Sequence, residues 1–184
     1  VMLPYTPLHH LLMAQGFDAL VMTSGNLSEE PIVIDNADAY FRLSDIADYF
    51  LVHDRDIYLR SDDSIVRYAA GSDRFIRRSR GYVPTPVFLK NNGPQVLACG
   101  AELKSTVCLT KDNRAFVSQH IGDLENPATL EFFELTISHM KRILDIAPSA
   151  VAFDMHPDYL STRYARNQVQ IPQIPVQHHH AHIV

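Results

Sequence analysis

The strongest constraint on the fold is the alternation of elements after residue 95. Three apolar segments predict strands at Val96–Cys99, Thr106–Thr110 and Ala115–Ser118, and the last two flank a polar turn at Lys111–Arg114. A long amphipathic helix is predicted from Pro127 to about residue 147, capped by the preceding asparagine. The segments that follow are a strand at 150–153, a helix at 158–167, a strand at 174–176 and a helix that starts at 178. The order is therefore β-β-β-α-β-α-β-α.

This order predicts a mixed sheet that begins with a hairpin and carries helices on its faces. Actin-like and ribonuclease-H-like α/β domains are built on this plan. In such a sheet, ligands bind outside the carboxyl ends of the parallel strands. We therefore expect the functional residues of this half to lie there.

The first 85 residues predict a separate mixed α/β domain. Helices are expected at 6–15 and, with a break, at 35–49; short strands are expected at 19–22, 50–52, 57–59, 64–68 and 74–79. Residues 82–95 contain three prolines and the sequence Asn-Asn-Gly-Pro, which predicts a linker. The predicted organisation is a domain at 1–85, a linker at 86–94 and a domain at 95–184.

Composition narrows the class of protein. The chain is 46% hydrophobic and 20% charged, which is typical of a globular protein and not of a disordered one. Its net charge of −5 disfavours nucleic acid as a partner, and no apolar run approaches the length of a membrane span. Cys99 and Cys108 fall in predicted strands and are expected to be buried thiols, with a cross-strand disulfide as the alternative. No segment has the pattern of a secretory leader, so the predicted location is the cytoplasm. Because the chain starts at Val1, we expect it to be part of a longer protein.

Four histidines stand within five residues near the end of the chain. If a helix begins at this cluster, His178 and His182 lie one turn apart on one face and are close enough to share a metal ion. An exposed polar cluster is the alternative, and a purification tag is disfavoured by the alanine that interrupts the run. Two imidazoles form an incomplete site, so further ligands are expected from other parts of the protein.

Three other segments have the residue types of a phosphate site. The loop at 23–31 is rich in hydroxyl and amide side chains, the stretch at 77–81 carries three arginines, and the hairpin turn at 100–106 contains Lys104 and Thr106. Each also has a plain structural interpretation, as a polar turn, a solvated basic strand end or an ordinary hairpin. Spacing alone leaves both interpretations open.

Taken together, the motifs resemble the HypF-type carbamoyltransferases of [NiFe]-hydrogenase maturation. The resemblance covers the whole chain. The motifs that carry it are PYTPLHHLL from residue 4, MTSGNLSEEPI from 22, DDSIVR from 62, RRSRGYVP from 77, AELKST from 101, SQHIGDLEN from 118, DMHPDYLSTRYA from 154 and VQHHHAHI from 176. The resemblance implies the end of a YrdC-like domain, which forms an adenylate, followed by the start of an ATPase-like domain related to tRNA threonylcarbamoyl-transfer enzymes.

The resemblance also implies a reaction and the residues that serve it. A carbamoyl group derived from carbamoyl phosphate would be joined to ATP, with Mg, as carbamoyl adenylate, and then passed to the C-terminal cysteine of the partner HypE. The resemblance implies that Ser24, Asn26 and Ser64 contact the adenylate and that Arg78 and Arg80 counter phosphate charge. It assigns Lys104 a catalytic role, with Thr106 beside it at a second nucleotide. The residues implied as ligands of a divalent metal, iron or zinc, are His178 and His182.

Two other functions remain as alternatives. One is a threonylcarbamoyl adenylate synthase and transferase that modifies tRNA, which predicts steeply salt-dependent RNA binding that the acidic balance disfavours. The other is a non-catalytic docking module that binds a nucleotide and a metal. It predicts affinity for ATP without release of pyrophosphate.

Overall fold

A computed structural model of the protein describes residues 1–28 and 30–184. Its elements are α1 (Pro7–Met13), α2 (Asn36–Leu43), β1 (Ile65–Ala69), β2 (Ser72–Arg77), β3 (Val87–Gly93), β4 (Val96–Cys99), β5 (Val107–Val117), α3 (Pro127–Leu144), β6 (Ala150–Asp154), α4 (Leu160–Arg166), β7 (Gln173–Val176) and α5 (His178–Ile183). We call residues 1–86 the first module and residues 87–184 the second module.

The second module is built on a five-stranded mixed sheet in the order β3-β5-β4-β6-β7. Strands β4, β6 and β7 run parallel, whereas β5 runs antiparallel to both of its neighbours. The carboxyl ends of β6 and β7 therefore lie at one edge, with the turn after β4 beside them. Apart from the edge strand β3, this is the mixed sheet that the order of elements predicts.

Element β5 folds back on itself as a hairpin. An extended strand rises about 3.3 Å per residue, so its two ends would lie more than about 30 Å apart if it were straight. Instead, the Ser118 N–H donates to the Val107 carbonyl at 2.7 Å. Asp112 has φ +56° at the bend, where hairpin turns of the favoured type require a positive φ. The predicted turn at 111–114 is confirmed.

Helix α3 covers one face of this sheet. Its start is the predicted one, since the Asn126 side chain accepts the Thr129 N–H and Pro127 occupies the first turn. The helix buries Phe133, Ile137 and Met140 on one face against the core, as expected of the predicted amphipathic helix. It ends at Leu144, three residues earlier than predicted, where Asp145 takes a left-handed conformation with φ +51°.

The predicted linker at 86–94 is wrong, because most of it is strand β3. Val87 and Phe88 pair with Ala115 and Arg114 of β5. An apolar triplet, Val87 to Leu89, separates the prolines at 86 and 94, and proline is tolerated at the ends of an edge strand. The prolines at 86 and 94 therefore mark the ends of a strand and not a linker.

The first module has little regular structure among its described residues. Helices α1 and α2 form within the predicted ranges, capped by the Thr6 and Asp35 side chains. Strands β1 and β2 form a hairpin. The strands predicted at 19–22, 50–52 and 57–59 are absent from the described chain, because an extended apolar segment becomes a strand only when another strand pairs with it. No described helix combines the length and the apolar character needed to cross a bilayer.

Candidate functional site

A cavity in the first module has a volume of about 750 Å³, within the range of small-molecule sites. Polar groups converge on it from the loop after Met22, from the segment before β1 and from the end of β2. Its polar lining residues are Tyr5, His9, Thr23, Ser24, Ser61, Asp62, Asp63, Ser64, Arg77 and Arg80. Three residues that the resemblance assigns to the adenylate, Ser24, Ser64 and Arg80, therefore face one cavity. We call it the loop cavity.

The loop itself is held by its own amide groups. The Val33 N–H donates to the Gly25 carbonyl at 3.0 Å and closes its base. Inside it, the Asn26 side-chain NH2 donates to the Leu27 carbonyl at 2.8 Å and to the Glu30 carbonyl at 3.0 Å. These two bonds fix the orientation of the amide, because the reverse orientation would set oxygen against oxygen. Asn26 thus shapes the loop. It does not line the loop cavity but lines a second crevice, described below.

The hydroxyl of Ser64 is fully engaged by the chain. It donates to the Arg80 carbonyl at 2.8 Å and accepts the Ser79 N–H at 2.8 Å. Ser64 thereby ties the segment before β1 to the segment after β2. Its role in the site is to hold Arg80 in place as well as to line the cavity.

Arg80 belongs to a small network at the rim of the loop cavity. Its guanidinium donates to the Tyr5 hydroxyl at 2.5 Å and to the Ser61 carbonyl at 2.8 Å, and it lies 3.6 Å from the Asp63 carboxylate. The Tyr5 hydroxyl in turn donates to Asp63 at 2.8 Å. The guanidinium is held at the cavity mouth with its side chain 49% exposed, so it is accessible to a phosphate group.

Arg78 does not face the loop cavity. Its guanidinium donates to the Tyr82 carbonyl at 2.9 Å, to the Thr85 carbonyl at 2.5 Å and to the Val117 carbonyl of the second module at 3.4 Å. The arginine that lines the cavity is Arg77, which lies 3.9 Å from the Asp62 carboxylate. Neighbouring side chains in an extended chain point to opposite faces, so only one of these two arginines can point into the site. The phosphate role assigned to Arg78 fits Arg77 in this structure.

A second, polar crevice of about 280 Å³ is lined by both modules. The first module contributes Ser24, Asn26 and Arg77, and the second contributes Lys104 and His120. Lys104 thus lies opposite the loop of the first module. The crevice brings the predicted catalytic lysine to the predicted adenylate loop, although the two are about eighty residues apart in sequence.

Two features of the backbone hold Lys104 in this position. Lys104 has φ +49°, which is uncommon for a residue with a side chain, and its N–H donates to the Asp123 carboxylate at 2.5 Å. Burial lowers the pKa of the neighbouring His120, and the positive charge of Arg77 lowers it further. The imidazole therefore favours its neutral form in the crevice. Sequence reasoning missed His120, whose only signal was its place in the SQHIGDLEN motif.

Thr106 closes the hairpin turn that carries Lys104. Its carbonyl accepts the Gly100 N–H at 3.0 Å. A Cβ at position 100 would lie 2.4 Å from that same carbonyl oxygen, so only glycine fits there. The side-chain role assigned to Thr106 stays a prediction.

The histidine pair lies at the carboxyl ends of β6 and β7. Helix α5 starts at His178, and the Nε2 atoms of His178 and His182 lie 3.1 Å apart. The Nδ1 atom of His178 lies 2.5 Å from the Asp154 carboxylate. A cavity of about 320 Å³ is lined by Asp154, His178 and His182 together with Gly100 and Ala101.

This geometry fits a metal site that needs further ligands. Two imidazole nitrogens about 2.0–2.1 Å from one tetrahedral zinc ion lie roughly 3.3 Å apart, close to the observed separation. A proton on His178 Nδ1 that is donated to Asp154 leaves the lone pair on Nε2, which is the tautomer that a metal requires. Within residues 1–28 and 30–184, no group of three or more ligating side chains is assembled.

The surroundings of the Asp154 carboxyl favour its ionised form. Burial would raise its pKa, but the hydrogen bonds with His178 and with the His156 N–H outweigh it, so the net effect is a lowered pKa. The sequence allowed two roles for Asp154, at the functional rim or as a cap of the following turn. The structure shows both, since one oxygen accepts the His156 N–H at 2.9 Å and the other contacts His178.

Comparison with known proteins decides the family. Residues 91–184 match the family model of the HypF Kae1-like domain. The chain therefore belongs to the HypF family. Residues 1–79 match the Sua5/YciO/YrdC model, described as telomere recombination. The resemblance and the fold class predicted from the sequence are both confirmed.

Individual HypF proteins match along the whole chain. The carbamoyltransferase HypF of Synechocystis is 50% identical over 100% of this chain and 24% of its own length. The carbamoyltransferase HypF of Rhizobium leguminosarum is 47% identical over 100% of this chain and 25% of its own length. A crystal structure of full-length HypF in a phosphate- and nucleotide-bound form has a TM-score of 0.93 at 50% identity, covering 99% of this chain and 29% of that one. The chain spans about a quarter of the length of the curated relatives it matches.

Proposed function

We propose that this chain carries two consecutive sites of a HypF-type carbamoyltransferase of hydrogenase maturation. The loop cavity of the first module would form carbamoyl adenylate from ATP and a carbamoyl group derived from carbamoyl phosphate. The second module would pass that group to the C-terminal cysteine of HypE. The resulting thiocarboxamide would become the cyanide ligand of the hydrogenase iron.

The observation that carries this proposal is the crevice shared by the two modules. Ser24 and Asn26 of the adenylate loop lie in it together with Lys104 of the second module. A pair of sites that face each other fits a reaction in which one site makes an activated group and the other uses it. A full-length HypF relative has been solved in a phosphate- and nucleotide-bound form, which is consistent with a nucleotide-dependent reaction in this family.

In the first step, a carbamate oxygen would attack the α-phosphorus of MgATP and pyrophosphate would leave. Arg77 and Arg80 lie at the loop cavity, where their guanidinium groups would neutralise phosphate charge. Ser24 lies beside them as a hydroxyl donor. Asn26 would hold the loop in the shape that this step needs.

In the second step, the thiolate of the partner would attack the carbamoyl carbon and AMP would leave. The Lys104 ammonium group would stabilise the phosphate of the departing AMP. A divalent metal, iron or zinc, held by His178 and His182 would supply Lewis-acid chemistry. Asp154 would orient His178 and keep its Nε2 unprotonated.

The test of the first step is ATP:pyrophosphate exchange in the full-length protein, with and without carbamoyl phosphate. Exchange should require carbamoyl phosphate and should collapse in Asn26→Ala. It should persist in the control Asn92→Ala, because Asn92 is exposed on β3. Exchange that needs threonine and bicarbonate instead would indicate the tRNA-modifying alternative. Binding of ATP without any exchange would indicate a docking module.

A further inference from the structure

A three-residue segment of the first module, Tyr58 to Arg60, lies along helix α3 of the second. The Arg142 guanidinium donates to the Tyr58 hydroxyl at 2.8 Å, and the Tyr58 ring lies 5.2 Å from the ring of His139. Leu59 packs against the buried core of the second module. This segment therefore joins the modules through both polar and apolar contacts.

Arg60 extends this contact to the adenylate loop. Its Nε–H donates to the Ile32 carbonyl at 2.7 Å, just after the loop ends. Its guanidinium carbon lies 5.4 Å from the centre of the Phe132 ring of α3, and Phe132 is only 3% exposed. A planar guanidinium can stack on a ring and donate in its own plane at the same time, which a lysine ammonium cannot do. One side chain thus connects the end of the loop to the second module.

The loop does not need Arg60 for its internal shape. The bond between Gly25 and Val33 and the two bonds from the Asn26 amide already close it. What Arg60 adds is the position of the loop on α3. Ile32 and Thr129, the latter one helical turn before Phe132, both line the shared crevice. A shift of Ile32 against α3 would change the width of that crevice.

We propose that Arg60 is a positioning residue that holds the adenylate loop in register with the second module. Transfer of the carbamoyl group depends on this register, whereas formation of the adenylate does not. The inference rests on the proposed function, since it concerns the passage of the group between the two sites. A carbamoyl adenylate that is not transferred is hydrolysed by water to carbamate and AMP.

The test compares AMP released with thiocarboxamide formed in the full-length protein, alongside ATP:pyrophosphate exchange. Arg60→Met keeps the apolar stem and removes the guanidinium. We expect its exchange to stay within about twofold of the parent, and thiocarboxamide per AMP to fall on the order of tenfold, because a misplacement of about 1 Å costs up to a hundredfold. Arg67→Met is the control, because Arg67 is exposed on β1.

A double-mutant cycle separates positioning from general destabilisation. Phe132→Leu removes the ring on which Arg60 stacks, so it should lower the same ratio, and the double variant should be no worse than Arg60→Met alone. If Arg60→Met does not fold, Arg60→Lys replaces it, because lysine keeps the charge and loses the stacked plane.

Three results would overturn the inference: an unchanged ratio in the Arg60 variant, exchange that falls as far as transfer, and additive losses in the cycle. A fourth result, absence of exchange in the parent protein, would instead refute the proposed function.

Discussion

The contact between Asp154 and His178 makes a quantitative prediction about metal binding. Asp154→Asn removes the charge that holds His178 Nδ1 at 2.5 Å but keeps an oxygen that can still accept the His156 N–H. An asparagine NH2 group pointing at Nδ1 would place the imidazole proton on Nε2. That tautomer cannot bind a metal through Nε2.

The size of the effect follows from this arrangement. Loss of a carboxylate that orients a metal-bound histidine costs about 10–100-fold in affinity, or about 1.4–2.7 kcal/mol. The low exposure of the Asp154 side chain, only 9%, places this site in the upper part of that range. We therefore expect a loss of zinc or iron affinity nearer a hundredfold than tenfold.

The assay is competition between the full-length protein and a chromogenic chelator for zinc or iron. Asp158→Asn is the matched control, since Asp158 is exposed in the same loop and the two variants carry the same change of charge. The control should bind like the parent. An affinity for Asp154→Asn within twofold of the control would refute the assignment of this pair as metal ligands.

The other predictions concern packing, pH and transfer. Gly100→Ala would place a Cβ 2.4 Å from a backbone oxygen, so it should lower the free energy of unfolding by about 1–3 kcal/mol in chemical denaturation. Gly93 has open space around it, so the control Gly93→Ala should change that free energy by no more than about 0.5 kcal/mol. The pKa of His120 is lowered in the folded state, so the folded protein resists protonation of this imidazole and its stability should fall as pH drops below about 6.5. The variant His120→Gln should show a smaller decrease of melting temperature over the same pH range. Identical pH profiles for the variant and the parent would contradict this prediction. His178→Ala should abolish thiocarboxamide formation on HypE and spare ATP:pyrophosphate exchange, with His180→Ala as the control; an unchanged yield would remove the metal assignment.

The second module was predicted well because its signals are local. The cap at Asn126 and the apolar spacing of α3 are properties of neighbouring residues, and the fold uses them as they stand. The turn at 111–114 is equally local. The pairing of His178 with His182 also follows from helical spacing alone.

The first module was predicted poorly because its segments depend on distant partners. The apolar stretch at 19–22 has the composition of a strand, but no strand pairs with it in the described chain. The choice between Arg77 and Arg78 likewise depends on which face of the chain meets the cavity. The residue types at 77–81 allowed a phosphate site or a solvated strand end, and the resemblance assigned the phosphate role to Arg78, whereas Arg77 lines the cavity.

The shared crevice could not be predicted from the sequence for the same reason. Lys104 and Asn26 line one crevice between the modules, and residues 58–60 contact α3; no local pattern encodes either contact. The resemblance grouped Lys104 with Thr106, which lies in the same turn. The structure also places Lys104 opposite the loop of the other module.

Transfer to HypE is tested by the mass of the C-terminal peptide of HypE after incubation with the full-length protein. We predict that the cysteine of this peptide gains the mass of one carbamoyl group only when ATP and carbamoyl phosphate are both present. An unmodified peptide under those conditions, in a preparation that supports ATP:pyrophosphate exchange, would contradict the claim that the second module passes the carbamoyl group to this thiol.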